Sequence, residues 1–214
     1  VTVRDLWRAV LADCWWPPVV PGTMVPTLGG ALAMNVHGKN AWRLGSIGEH
    51  VLSFDLLGPA GDLVTVTPAS DADLFHAVIG GIGMLGIITS VTLRMRRIVS
   101  GLLATRTFAA HNLAEMFTLF AEHAPSADYL VGWIDGFASG AALGRGLVER
   151  ADFSEEPDST TLHPNTQDVA PKIAGLVPRA QLWRVMKPLF TDPAMRAANE
   201  AQYRRGALTG GHVH

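Results

Sequence analysis

Between Pro17 and Gly38 the chain sets four prolines and four glycines within 22 residues, PPVVPGTMVPTLGGALAMNVHG. Each proline fixes its own φ, removes a donor and disfavours helix in the residue before it. Glycine weakens a helix interior. A long helix through this region is therefore excluded. CWWPPVVPGT is expected to run extended, and ALAMNV has room for a helical turn or two, opened by Thr27, Gly29 and Gly30. Such an opening admits two readings. Bare N–H groups at a helix start suit an anion or an electron-rich ring edge, and small residues suit close packing of the helix on a sheet.

The flanking pattern gives an α+β fold. Residues 2 to 13 place Val3, Leu6, Trp7, Val10 and Leu11 on one helical stripe with Thr2 as N-cap. Residues 50 to 68 read as a β-hairpin around Gly-Pro-Ala-Gly-Asp, followed by a short helix capped by Ser70 or Asp71. After a glycine cluster, IITSVTLRMRRI reads as one strand. A boundary is expected near residue 100. Beyond it come a strand (GLLATRTFA), a helix with Leu113, Met116, Phe117 and Phe120 on its apolar face, and two strands around residues 128 to 137 and 142 to 153. Residues 154 to 172 read as a polar loop, and residues 192 to 206 as a surface helix with Pro193 near its start and Gly206 as its stop.

A hydrophobic share of 48% is enough for a well-filled core. Net charge −2 gives no electrostatic footprint for nucleic acid. The single Cys14 excludes an internal disulfide and suits a reducing compartment. No apolar run reaches the ~18 to 20 residues of a membrane span, which leaves association at a membrane surface as the only membrane role. The start carries no signal-peptide pattern, so a cytoplasmic location is expected. The opening on Val1 and the close on GGHVH lead to the expectation that this is a piece of a longer chain.

GIGMLG, Gly81 to Gly86, spells G-x-G-x-x-G but follows a helix and precedes a strand, with no acidic residue about 20 positions on. A tight helix-to-strand turn, or backbone brought close to a ligand other than NAD, fits that order. His37 and Lys39 share one glycine-containing turn with Asn40, where a histidine and a cation could steady negative charge on a substrate or reduced cofactor. The alternative is a hydrogen-bonded structural histidine. The eight histidines are otherwise scattered; only His212 and His214 are paired, and no metal site is expected. A serine hydrolase lacks its G-x-S-x-G elbow. Trp15, Trp16 and Trp42 are expected in the core, and Arg94, Arg96 and Arg97 on a solvated strand edge.

In this order and spacing, WWPPVVPGT, PTLGGALAMNVHGKN, GSIGEHVLSFDLLGPAGDLVTVTP, DADLFHAVIGGIGMLGIITSVTLRM and, more loosely, GWIDGFASGAALGRGLVERADF resemble the vanillyl-alcohol-oxidase (PCMH-type) flavoprotein family, nearest its decaprenylphosphoryl-ribose-oxidase-like branch. The likeness covers nearly all of residues 1 to 100 and about half of the remainder. It implies FAD as cofactor, with residues 1 to 100 as the later part of the FAD-binding domain and residues 101 to 214 as the start of an α+β substrate or cap domain. It implies flavin contacts from Gly22, Thr27, Leu28, Gly29, Gly30, Met34, Asn35, Val36 and His37, and from Ile88 near the adenine end. His37 would lie by the isoalloxazine and Lys39 in the substrate pocket, with His37 or a later residue as base and Lys39 steadying an alkoxide. The implied reaction oxidises a hydroxyl of a sugar, sugar-lipid or related alcohol by hydride transfer to flavin. The rivals are a sterol Δ24-reductase-like alkene reductase and a non-catalytic module retaining the fold. The glycine-rich diphosphate loop that such flavoproteins carry ahead of this region is not in the sequence, nor is a covalent histidyl attachment site.

Overall fold

The computed structural model describes residues 1–167, 172–173, 177–178, 181–187 and 190–209, and it is α+β. His212 and His214 lie outside the described residues. The chain forms two compact units, Val1–Gly101 with Ser154–Pro164, and Leu102–Phe153 with Asn165–His214.

In the first unit, helix α1 (Val3–Val10) starts at Thr2, whose hydroxyl accepts from Asp5 N–H while the Asp5 carboxylate accepts from Thr2 N–H, a reciprocal cap. Strand β1 (Trp15–Trp16) is followed by the proline-rich stretch, which runs without regular structure to α2 (Leu28–Ala33) and α3 (Ala41–Leu44). Strands β2 (Val51–Leu57) and β3 (Leu63–Val66) form the hairpin, and β4 (Ile87–Leu93) joins them in the antiparallel order β3-β2-β4. Helix α4 (Ala72–Val78) is capped by Asp71, which accepts from Leu74 N–H at 2.9 Å. Phe54 of β2 stacks on Phe75 of α4, with ring centres 5.4 Å apart, at the centre of a core that includes Ala31, Leu32, Ile47, Val66 and Val78.

The run from residue 87 to 98 is not one strand. β4 ends at Leu93, and Arg96–Arg97 form β5, which pairs with β1 as a separate two-residue ribbon. Ile98 N–H then donates to Cys14 O, and the buried Ile98 side chain anchors the end of that ribbon. Arg97 lies over the Trp15 ring at 5.4 Å, so the expected solvated edge is in part an aromatic contact. The tryptophans divide likewise: Trp16 is half-buried beside Trp7, whereas Trp42 is 76% exposed.

The second unit is a sheet of order β6-β8-β7, formed by β6 (Leu103–Ala110), β7 (Tyr129–Ile134) and β8 (Gly146–Phe153). Helix α5 (Leu113–His123) buries Met116 against Ala110 and Val148. Its inward stripe is Met116, Leu119 and Phe120, while Phe117 is 66% exposed and Leu113 40%. The expected stripe is thus rotated by part of a turn. Short elements α6 (Pro164–Gln167), β9 (Lys172–Ile173), β10 (Val177–Pro178) and α7 (Leu182–Met186) precede α8 (Asp192–Thr209). Gly206 does not stop α8, which runs on to Thr209. It is buried, and a Cβ there would come within 2.4 Å of Leu147 Cδ1, so this glycine lets the helix lie close on β8. Leu147 meets α8 and Val148 packs with α5; since successive strand residues face opposite ways, the two helices cover opposite faces of the sheet.

Candidate functional site

The residues expected from the sequence to meet flavin and substrate fall in the first unit: Gly22 in the proline-rich stretch, Thr27 to Met34 on α2 and its two ends, Asn35 to Lys39 in the turn after it, and Ile88 on β4. Thr27 caps α2: its hydroxyl accepts from Gly30 N–H at 3.1 Å, its carbonyl accepts from Ala31 N–H, and Leu28 N–H donates to Val1 O at 3.0 Å. Three of the first four N–H groups of the helix are thus engaged within the chain. Gly29 instead sits on β4, where a Cβ would lie 3.4 Å from Ile88 O and 3.6 Å from Ile88 Cβ. Of the two readings, close packing on a sheet is the one realised for Gly29. Gly30 and Gly22 are exposed, and Gly22 has nothing within 4 Å of where a Cβ would stand.

Past the helix, Asn35 adopts φ 44° and its side-chain oxygen accepts from Gly48 N–H at 3.0 Å. Val36 N–H donates to Ala31 O, its carbonyl accepts from Ile47 N–H, and its side chain packs against the core. Ile88 is half-buried under Gly29 and belongs to the same core. Asn35, Val36 and Ile88 are thus engaged within the fold. Met34 is the opposite case, 61% exposed.

The glycine turn lies against the end of α2: Gly80 N–H donates to Leu32 O and Ile82 N–H to Ala33 O, at 3.0 and 2.9 Å. It links a helix to a strand, as its order in the sequence requires. Gly80, Gly83 and Gly86 have positive φ, and so does Ile82, at 56°. A β-branched residue there is strained. The side chains it carries are uncovered: Ile82 is 70% exposed, Met84 84% and Leu85 44%, beside Met34. An apolar surface of this kind marks a ligand or partner face.

His37 and Lys39 both reach solvent from the turn between α2 and α3. His37 pairs its backbone with Ser46 and its Nδ1 lies 3.4 Å from Gly38 O. Between them, Gly38 is pressed inward, and Asn40, 3% exposed, donates from Nδ2 to Pro18 O at 2.7 Å. The sequence reading had no means to distinguish this buried asparagine from a surface one, since polar character in HGKN carries no burial signal. A cleft of about 530 Å³ opens elsewhere in the unit, lined by Glu49, Leu52, Thr67, His76 and Arg94 among others, and includes neither His37 nor Lys39.

Whether these residues suit FAD is decided by the surface. Uncovered apolar side chains at the end of α2 and on the glycine turn bonded to it (Met34, Ile82, Met84, Leu85) suit a flat ring system, Gly22 is open where a Cβ would stand, and two polar side chains stand on the turn after α2.

Comparison with known proteins agrees. Residues 1–67 match the family described as FAD binding domain. The chain is 33% identical over 157 residues to decaprenylphosphoryl-beta-D-ribose oxidase of Mycolicibacterium smegmatis, covering 72% of this chain and 34% of that protein. It is 34% identical over 154 residues to an uncharacterized protein in the mprA 5' region of Streptomyces coelicolor, covering 72% of this chain and 41% of that one. Cytokinin dehydrogenase 7 of Oryza sativa subsp. japonica is 39% identical over 85 residues, 40% of this chain and 16% of its own length. The chain thus spans between a third and a half of the length of the first two relatives. No helix among the described residues is long and apolar enough to cross a membrane. Residues 1–67 of the first unit thus carry the family's FAD binding domain, whose cofactor is FAD.

Proposed function

We propose that this chain is the later part of the FAD-binding domain, followed by the start of a substrate or cap domain, of an oxidoreductase that oxidises a hydroxyl group of a sugar, sugar-lipid or related alcohol. The observation that carries the reading is the likeness to a decaprenylphosphoryl-ribose oxidase across 72% of the chain. FAD, when bound, supplies an acceptor for the hydride that leaves the carbinol carbon. Gly22, Thr27, Leu28, Gly29 and Gly30 would give it a closely fitting wall, and Met34 with the strained Ile82 turn a dry face that excludes water. Lys39 would steady the developing alkoxide, and His37, exposed and held by its backbone pairing with Ser46 and a 3.4 Å contact to Gly38 O, would take the hydroxyl proton.

The cytokinin dehydrogenase likeness supports a second reading, in which the same flavin domain serves dehydrogenation of a different class of substrate. The test is to express the full-length protein and record visible absorbance after desalting and again after denaturation. Flavin bands released on denaturation are expected. Reduction of those bands by polyprenylphosphoryl-ribose and sugar alcohols, and not by cytokinins or a reduced nicotinamide donor, is the expected specificity. A colourless folded protein that stays colourless with added FAD would remove the enzyme reading.

A further inference from the structure

Asn40 is one of three buried polar residues among those described, and its side chain spans two segments of different character. Its amide donates to Pro18 O, in the proline-rich stretch that leads to the Gly22 loop. Its backbone ends the turn that carries His37 and Lys39, where Ala41 N–H and Leu44 N–H close on Gly38 O and Asn40 O. The seat is tight. A Cβ on Gly38 would lie 2.7 Å from Val20 O and 2.7 Å from Asn40 Oδ1, so the turn is pressed onto the stretch that Asn40 grips. Asn40 Oδ1 itself is buried without a hydrogen-bond partner among the described residues. An unpaired buried acceptor is costly. The other end of the same side chain makes a short bond to Pro18 O that nothing apolar could make.

We propose that Asn40 is a positioning residue: it braces the His37–Lys39 turn against the Pro17–Val20 stretch, and so fixes those two side chains relative to the Gly22 loop. This rests on the reading of that turn as the substrate-facing one. Asn40 touches no reactant in it; its effect passes through where His37 and Lys39 stand. A displacement of about 1 Å at reacting groups costs up to about 100-fold in rate, while ligand contacts made elsewhere on the wall stay intact.

The test uses Asn40→Ala, which removes the bond to Pro18, and Gly38→Ala, which keeps the amide and pushes the turn off its seat. Hydrogen exchange on the full-length protein is read at Ala41 N–H, with Phe75 N–H in α4 as the internal reference. Turnover is read with a short-chain polyprenylphosphoryl-ribose and a soluble dye as acceptor, per mole of bound flavin. In both variants Ala41 exchange is expected to rise at least about tenfold with Phe75 unchanged, and kcat per flavin to fall about 10- to 100-fold with KM little altered. Unchanged exchange at Ala41 overturns the proposal, as does a loss of turnover that only tracks flavin content or melting temperature. Should Asn40→Ala not fold, Gly38→Ala decides; should neither fold, Asn40 belongs to the fold alone and the proposal is overturned. A wild-type protein that leaves the sugar-lipid probe untouched sinks the substrate reading instead, and the brace is then judged by exchange alone.

Discussion

Ile82 carries the plainest local strain in the first unit. A β-branched side chain at φ 56° is held there by the bond from its N–H to Ala33 O, while the side chain itself is 70% exposed. Ile82→Gly should therefore stabilise the isolated chain by about 1 kcal/mol, read from urea unfolding. A loss of stability would mean that the side chain packs on something. Lys39 is a different kind of residue, exposed and with no part in the core. Lys39→Ala should leave flavin content of the full-length protein unchanged and lower its turnover at least about tenfold; equal turnover would return Lys39 to the plain surface.

The inward stripe of α5 separates neighbouring residues by energy. Met116 is 3% exposed against β8, so Met116→Ala should cost about 3 kcal/mol. Phe117 is 66% exposed, and Phe117→Ser should stay within about 0.5 kcal/mol. The reverse order would restore the stripe read from the sequence. Helix α8 is fixed to its sheet by charge as well as by Gly206. Asp135, 3% exposed, accepts from Asn199 of α8, from Phe137 N–H and from Arg145, and Arg145 also pairs with Glu200 of α8 and lies over Tyr203 at 4.9 Å. Burial, the largest single influence, pushes the Asp135 carboxyl up, but those hydrogen bonds and the Arg145 charge outweigh it and hold it below its usual 3.8. A depressed carboxyl binds its proton less readily in the folded state, so its contribution is complete above the usual value. It is lost as pH falls from there through the folded value. Stability of the chain should be flat in this respect above about pH 5 and decline below about pH 4. Asp135→Asn should be less stable at neutral pH by about 2 kcal/mol and show a shallower acid limb.

Across the whole chain, the two units are not cut cleanly at one peptide bond. The chain leaves the first unit after Gly101 and comes back to it from Ser154 to Pro164. Asp158 N–H donates to Val99 O, and the Thr161 hydroxyl accepts from Gly101 N–H at 2.8 Å while donating to Asp158 O. Thr161→Val removes that oxygen and leaves Gly101 N–H without it. A loss of about 1 kcal/mol is expected in thermal unfolding, with the acid limb set by Asp135 unchanged. The polar stretch from residue 154 read as a loop, because its composition carries no sign that part of it completes another unit.

What the sequence determined by itself was local or ordered along the chain. Thr2 stands as a cap, Asp71 is the cap of the two residues the sequence offered, the 51–66 hairpin turns where Gly58 to Asp62 place it, and GIGMLG is a helix-to-strand turn. These follow from chemistry within a few residues. The ordered motif set likewise points to FAD. The tertiary structure alone decided that Gly29 packs on Ile88, that Gly206 seats a helix and does not end one, that Phe117 faces out, that Arg96–Arg97 leave β4 for Trp15–Trp16, and that Asn40 is buried under Pro18. Each of these depends on a partner distant in sequence, by 22 residues for Asn40 and Pro18. A pattern of period 2 or 3.6 shows which residues share a face, but only the packed chain fixes what that face meets.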